Sequence, residues 1–121
     1  MKNKIFLVPL ILLSISTTTL IWASDDHRII QAGQNNPVSI LAASKLADET
    51  AITVTGTIVR MVKNEFYEIK DSTGSIFVDI DDDLANPAQL KPGTKVKIIA
   101  EVDTHRYKPT DLDAVKIEIL P

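Results

Sequence analysis

The chain has 121 residues, with 16 acidic and 13 basic side chains for a formal charge of −3, 45% apolar residues and no cysteine. One domain commonly takes roughly 100–200 residues, so the length predicts a single unit. The lack of cysteine excludes a disulfide scaffold, a Cys-ligated zinc site, a thiol nucleophile and a lipid-modified N-terminal Cys.

Lys2 and Lys4 open the chain, Ile5 to Leu13 is an unbroken apolar run, and small residues lead to Trp22-Ala23-Ser24. With Ala23 at −1 and Ile21 at −3, residues 1–23 read as a secretory signal peptide cleaved after Ala23. An uncleaved anchor needs about 20 apolar residues, and the polar stretch Ser14 to Thr19 interrupts this run. Cleavage leaves 98 residues with 11 basic against 16 acidic side chains, a net charge of −5 and no stable membrane anchor.

Residues 24–37 are polar, with only Ile29-Ile30 apolar, and predict a mobile leader that buries too little area to offset its ordering entropy. The domain then occupies 38–121. Ser39 is placed to cap a short helix reaching about Ala47, whose stripe is Ile40, Ala43, Leu46 and Ala47. A helix that short must dock on something to persist in water.

Ala51 to Val62 is β-branched and predicts a long first strand, with Ile52, Val54, Gly56 and Ile58 on the inner face. Gly56 at its centre predicts a bend or bulge at a barrel corner. Glu65 to Lys70 and Ser75 to Ile80 predict a hairpin joined by the four residues Asp71-Ser72-Thr73-Gly74, with Gly74 where positive φ is favoured. Phe66 and Phe77 fall on the outer face of that hairpin, near each other.

Asp81-Asp82-Asp83-Leu84-Ala85 predicts a short helical turn, and Lys91-Pro92-Gly93 a turn before the next strand, Lys95 to Asp103. That strand alternates with Val96, Ile98, Ala100 and Val102 inside, and Ile99 is its one apolar outer residue. A loop from Thr104 to Asp111 carries His105, Arg106, Tyr107 and Lys108. The last strand, from about Leu112 to Leu120, changes phase and predicts a bulge near Ala114-Val115.

Five short strands, a bent first one and a helical connection between the third and fourth predict an all-β protein. The architecture is a five-stranded OB-fold Greek-key barrel with a short N-terminal helix. The runs Val54-Thr55-Gly56-Thr57-Ile58-Val59, Tyr67 to Ile76, Val78 to Asp83 and Glu101-Val102-Asp103 carry a more specific likeness. They resemble the bacterial OB-fold (BOF) family of small periplasmic stress-tolerance proteins, the YgiW/YdeI/NirD-like group. The resemblance spans Val38 to Ile117 and implies a periplasmic, non-enzymatic protein tied to tolerance of envelope stress. Where that group often has Trp after the acidic run and in the final loop, this chain has Leu84 and Tyr107.

Two surfaces are candidate sites. One is Phe66, Phe77, His105, Arg106 and Tyr107, because OB-folds bind across strands two and three beneath their flanking loops. The other is Asp81, Asp82 and Asp83 as a cation or cationic-peptide contact. Asp79, Asp81 and Asp83 have the 1-3-5 spacing of a calcium loop, but Leu84 and Leu90 stand where Gly and Glu belong, so no EF-hand is expected. Asp82 and Asp83 equally suit a helix N-terminus, where negative charge meets the positive end of the dipole.

His105 near Asp103 or Asp111 offers an acid–base pair, but a loop His beside an Asp reads as a surface contact, and no nucleophile or metal constellation accompanies it. No catalytic residue, metal site or cofactor is expected. The partner is expected to be a small ligand, a cationic peptide or an envelope protein, the last making the chain a structural or inhibitory subunit. Acidic residues where phosphate-tracking lysines would stand argue against nucleic acid.

Overall fold

The computed structural model describes residues 24–121, so the expected signal peptide lies outside the described residues. Its elements are helix α1 (Ser24–Gln34), helix α2 (Ile40–Ala43), and strands β1 (Ala51–Lys63), β2 (Phe66–Asp71), β3 (Gly74–Asp79), β4 (Lys95–Asp103) and β5 (Asp111–Ile119). No helix among the described residues is long and apolar enough to cross a membrane.

The strands close a barrel in the order β1-β2-β3-β5-β4, with β4 returning to β1. All pairings are antiparallel except β3 with β5, which run parallel through Val78↔Leu112 and Asp79↔Asp113. This is the expected OB-fold Greek-key barrel. Inward residues alternate as the sequence pattern requires: Ile52, Val54 and Ile58 from β1, Tyr67 and Ile69 from β2, Ile76 and Val78 from β3. Val96, Ile98, Ala100 and Val102 from β4 and Leu112 from β5 complete the core. Ile40 and Ala43 of α2, with Ala85 and Leu90 of the β3–β4 connection, pack against it.

Gly56 stands where β1 passes from β4 to β2, next to Thr57, which pairs with both Lys95 and Lys70. A Cβ at Gly56 would lie 2.7 Å from the Lys70 carbonyl oxygen and 3.3 Å from Ile40 Cδ1. Close approach of the crossing backbones therefore demands the glycine. The register shifts of β1 fall later, between Ile58 and Arg60 and between Met61 and Lys63, so the bulge is not at Gly56 itself.

The β2–β3 hairpin is tighter than expected, because Asp71 pairs with Gly74 and only Ser72-Thr73 connect the strands. Gly74 does not adopt positive φ, which among the glycines belongs to Gly93. The Asp71 carboxylate shapes the turn instead. It accepts from the Thr73 and Gly74 amides and the Thr73 hydroxyl at 2.7, 3.2 and 2.6 Å, and from the Ile40 amide at 3.0 Å. One side chain thus folds the hairpin and holds the start of α2. Burial opposes ionisation of Asp71, but these hydrogen bonds outweigh it and hold the carboxyl below its ordinary value.

Ser39 caps α2 as expected, accepting from the Ala42 amide at 3.1 Å. The regular helix ends earlier than Ala47: Ser44 caps it, and the chain continues through i→i+3 bonds at Lys45 and Leu46. The β5 bulge falls where its sequence phase slips. Ile99 pairs with Lys116 and Ala100 with Ala114, leaving Val115 as the extra residue.

The mobile leader expected over 24–37 is corrected by the structure. Residues 24–34 form α1, which packs on β1 and β4. Asp25 and Asp26 in its first turn suit the positive end of the helix dipole. Ile29 and Ile30 are half-buried, and Gly33 is buried against the sheet. The Thr53 hydroxyl donates to the Gly33 carbonyl at 2.7 Å, and the Asn36 side chain donates to the Ala51 carbonyl at 3.0 Å. Beyond the helix, Pro37 bridges Thr53 in parallel fashion. Ile99, the apolar exception on the outer face of β4, is buried because α1 covers it.

A Cβ at Gly33 would lie 2.6 Å from Ile99 Cγ2 and 3.0 Å from the Ile52 carbonyl oxygen. Gly33→Ala should therefore push α1 off the sheet at a cost of about 1–3 kcal/mol, the range for overpacking. Amide hydrogen exchange is expected to speed up over 24–37 while protection of β2 and β3 persists. Unchanged exchange in α1 would contradict this docking.

Candidate functional site

The barrel's closure brings four aspartates to one place. Asp79 ends β3 and pairs with Asp113, while Asp103 ends β4 and pairs with Asp111. Like charges opposite one another on adjacent strands destabilise a sheet, so this arrangement works against folding. Between the two pairs opens a cleft of about 320 Å³, lined by these aspartates, by Lys63, Asn64, Glu65 and Phe66 at the β1–β2 turn, and by His105 and Lys108.

His105 is half-buried within it. Its Nε2 lies 3.1 Å from Asp111 Oδ2 and 3.6 Å from Asp103 Oδ2. Asp111 is 6% exposed, the most deeply buried carboxylate in the cleft. Burial pushes its carboxyl up, and the hydrogen bond and charge of His105 only partly offset this. Asp113 is exposed at its edge, and partial desolvation of its carboxyl by the cleft wall, then repulsion from Asp79, Asp103 and Asp111, pushes that carboxyl up.

Glu65 braces the wall. Its backbone is at φ 62°, its carbonyl accepts from the Ile80 amide at 2.8 Å, and its carboxylate accepts from the Asp82 amide at 2.8 Å. The loop begins with the Thr104 amide donating to Asp48 at 2.9 Å. Tyr67 lies beneath in the core, its hydroxyl buried without a hydrogen-bond partner. Burial, then the charges of Asp82 and Glu65, push that hydroxyl's pKa up.

The expected aromatic surface divides. Phe66 and His105 line the cleft together. Phe77 stacks behind Phe66 with ring centroids 5.5 Å apart and planes tilted by 31°, and Lys63 Nζ sits 5.2 Å from the Phe66 centroid. Phe77 also borders a separate depression with Pro109 and Thr110. Arg106 and Tyr107 are exposed and do not line the cleft; Tyr107 is 92% exposed.

Asp81, Asp82 and Asp83 are exposed and serve their own turn. Asp81 Oδ1 accepts from the Asp83 amide at 2.8 Å, and the Asp81 carbonyl accepts from the Leu84 amide at 2.8 Å. Capping at this turn comes from the Asp81 and Glu65 side chains. Asp81 and Asp83 border a depression shared with Asp26, Glu101 and Asp113. There burial, followed by repulsion from Glu49, Asp113, Asp26 and Asp48, pushes the Glu101 carboxyl up.

The residues missed as site members from the sequence are Asp79, Asp103, Asp111 and Asp113. Their signal is positional: each ends, or lies near the start of, a predicted strand, and the pairings that join them are non-local.

A family model for the bacterial OB fold (BOF) proteins matches residues 24–119. The chain belongs to the BOF family. It is 42% identical over 65 residues to the calcium-regulated OB-fold protein CarO of Pseudomonas aeruginosa, covering 54% of this chain and 56% of CarO. It is 34% identical over 81 residues to YgiW of Escherichia coli K12, covering 67% of this chain and 58% of that protein. The matches thus span little more than half of either relative. The solved structure of E. coli YgiW superposes with a TM-score of 0.64 at 30% identity, over 70% of this chain and 90% of that one. At 15% identity, the Stn1–Ten1 complex of Schizosaccharomyces pombe shares the fold alone, with a TM-score of 0.56 over 69% of this chain and 74% of that one.

The strained Asp113 yields a signed pH effect. A carboxyl whose folded pKa lies above its ordinary value of 3.8 favours folding only while protonated, so that contribution is lost as pH rises through the folded value. Asp113→Asn should therefore raise stability at pH 7. The gain should be under about 1 kcal/mol, since Asp113 is exposed and solvent screens it. It should vanish below pH 3.8, where both forms are neutral. Urea melts at pH 3 and pH 7 check both halves.

Proposed function

We propose that this BOF protein is an exported, non-catalytic binding module of envelope stress tolerance that captures a cationic ligand in the acidic cleft. The observation that carries this reading is the convergence of Asp79, Asp103, Asp111 and Asp113 around a single opening with Phe66 in its wall. Four carboxylates facing Lys63, Lys108 and one imidazole leave negative charge that an incoming cation relieves. Phe66, backed by Phe77, adds an aromatic face that holds the Lys63 ammonium at 5.2 Å, and a ligand ammonium or guanidinium group would take that place.

The ligand class that best fits both features is a cationic peptide. The relative CarO is named for regulation by calcium, and a cation is also what an acidic cleft attracts. The same charge repels phosphate backbones, which disfavours nucleic acid although the fold is shared with the Stn1–Ten1 complex. Export rests on the signal-peptide pattern of residues 1–23, with cleavage after Ala23 and delivery to the periplasm. His105 beside Asp111 lacks a nucleophile to activate, which supports binding over catalysis.

A second reading, as a structural or inhibitory subunit of an envelope protein, draws on Tyr107. An aromatic that projects from a loop at 92% exposure, beside the exposed Arg106, suits an anchor in a protein interface.

An amide chemical-shift titration with a lysine- and arginine-rich peptide checks the first reading. Saturable shifts should cluster at residues 63–66, 79, 103–105 and 111–113, and Phe66→Ala should weaken binding by about 0.5–2 kcal/mol, the scale of a cation–π contact. Shifts confined to the tip at Arg106 and Tyr107, with the cleft silent, would favour the subunit reading instead.

A further inference from the structure

We infer that Asp103, His105 and Asp111 form a binding site for a divalent first-row transition-metal ion. The three side chains each present a ligand atom, and these atoms lie within 4.8 Å of one another. A metal bonded at about 2.1 Å holds neighbouring ligand atoms roughly 3.0–3.4 Å apart in octahedral or tetrahedral geometry. The 3.1 Å separation of His105 Nε2 from Asp111 Oδ2 falls inside that span, and the 3.6 Å separation from Asp103 Oδ2 lies just outside it. Asp103 is exposed and free to close the remaining gap by side-chain rotation.

A plain ion pair accounts for this arrangement less well. One N–H at Nε2 serves Asp111, while Asp103 at 3.6 Å lies beyond hydrogen-bonding range of the same nitrogen. Two carboxylates therefore converge on one imidazole nitrogen that satisfies only one of them. Within this set Asp111 is more than nine-tenths buried and lines the cleft, with His105 as its hydrogen-bond partner among the described residues. A neutral imidazole with two carboxylates carries a charge of −2, which a divalent ion cancels.

The donor set selects the metal. Calcium and magnesium take oxygen ligands, whereas imidazole suits zinc, iron, nickel and copper. The acidic run Asp81 to Asp83, by contrast, brings no nitrogen ligand and spends Asp81 on its own turn. The inference rests on reading the cleft as a cation-binding surface, but it fails separately from that reading.

The test is calorimetric titration of Zn²⁺ into the purified, chelator-stripped protein at pH 7, repeated with a large excess of Ca²⁺ and Mg²⁺. One saturable site is expected, not displaced by Ca²⁺ or Mg²⁺. His105→Ala and the surface variant Asp103→Asn should each lower affinity on the order of tenfold or more, with circular dichroism showing the barrel intact. His27→Ala, on the exposed face of α1, should change nothing. No saturable binding, wild-type affinity in His105→Ala, or displacement by Ca²⁺ would each overturn the inference. If zinc fails while the cationic peptide still shifts the cleft, only the metal assignment falls; if both fail, the cleft reading falls with it.

Discussion

The parallel contact between β3 and β5 is the constraint on which the rest of this structure depends. It consists of two residue pairs, Val78↔Leu112 and Asp79↔Asp113. Without it the five strands would form an open sheet with β3 and β5 as bare edges, a liability that closure removes. Leu112 is fully buried and ties the start of β5 into the core, while the bulge at Val115 lets the remainder of β5 follow β4. The same register that seats Leu112 inward aims its neighbours Asp111 and Asp113 at the mouth, where Asp79 and Asp103 already stand.

Closure therefore has an electrostatic cost that the sequence could have avoided with a Lys or Thr at any of the four positions. Two directly opposed Asp–Asp pairs, one member deeply buried, are the opposite of what fold stability selects. His105, Lys63 and Lys108 offset part of the repulsion, yet burial first, and repulsion behind it, keeps Asp111 and Asp113 harder to ionise than ordinary aspartates. A site that departs from the stability optimum while the surrounding barrel obeys it is where function is expected to lie.

Local pattern carried most of the barrel. Alternation in Lys95 to Asp103, the β-branched run through Ala51 to Val62 and the phase slip at Ala114-Val115 each predict an element that the structure contains. Helix α1 escaped because its residues look solvated when taken alone. Its signal sat elsewhere, in the outward Ile99 and in Gly33, whose missing Cβ admits that isoleucine. The hairpin turn is tighter than Gly74 predicts, because the Asp71 carboxylate sets its geometry. His105 and Phe66 were legible as site residues from loop and strand position. Their acidic partners were not, since Asp79 meets Asp113 only through a pairing across 34 positions of chain. The acidic run Asp81 to Asp83, conspicuous in sequence, lies mainly in a capped turn.

Barrel closure forces unrelieved negative charge into the cleft, and carboxyl ¹³C titration of the cleft aspartates by NMR measures this. Asp111 and Asp113 are predicted to titrate above the ordinary value of 3.8, and Asp113 should move back toward it when Asp79 is replaced by Asn. Midpoints at or below 3.8 for both would mean that the carboxylates are already compensated, which contradicts a cleft poised to take up a cation.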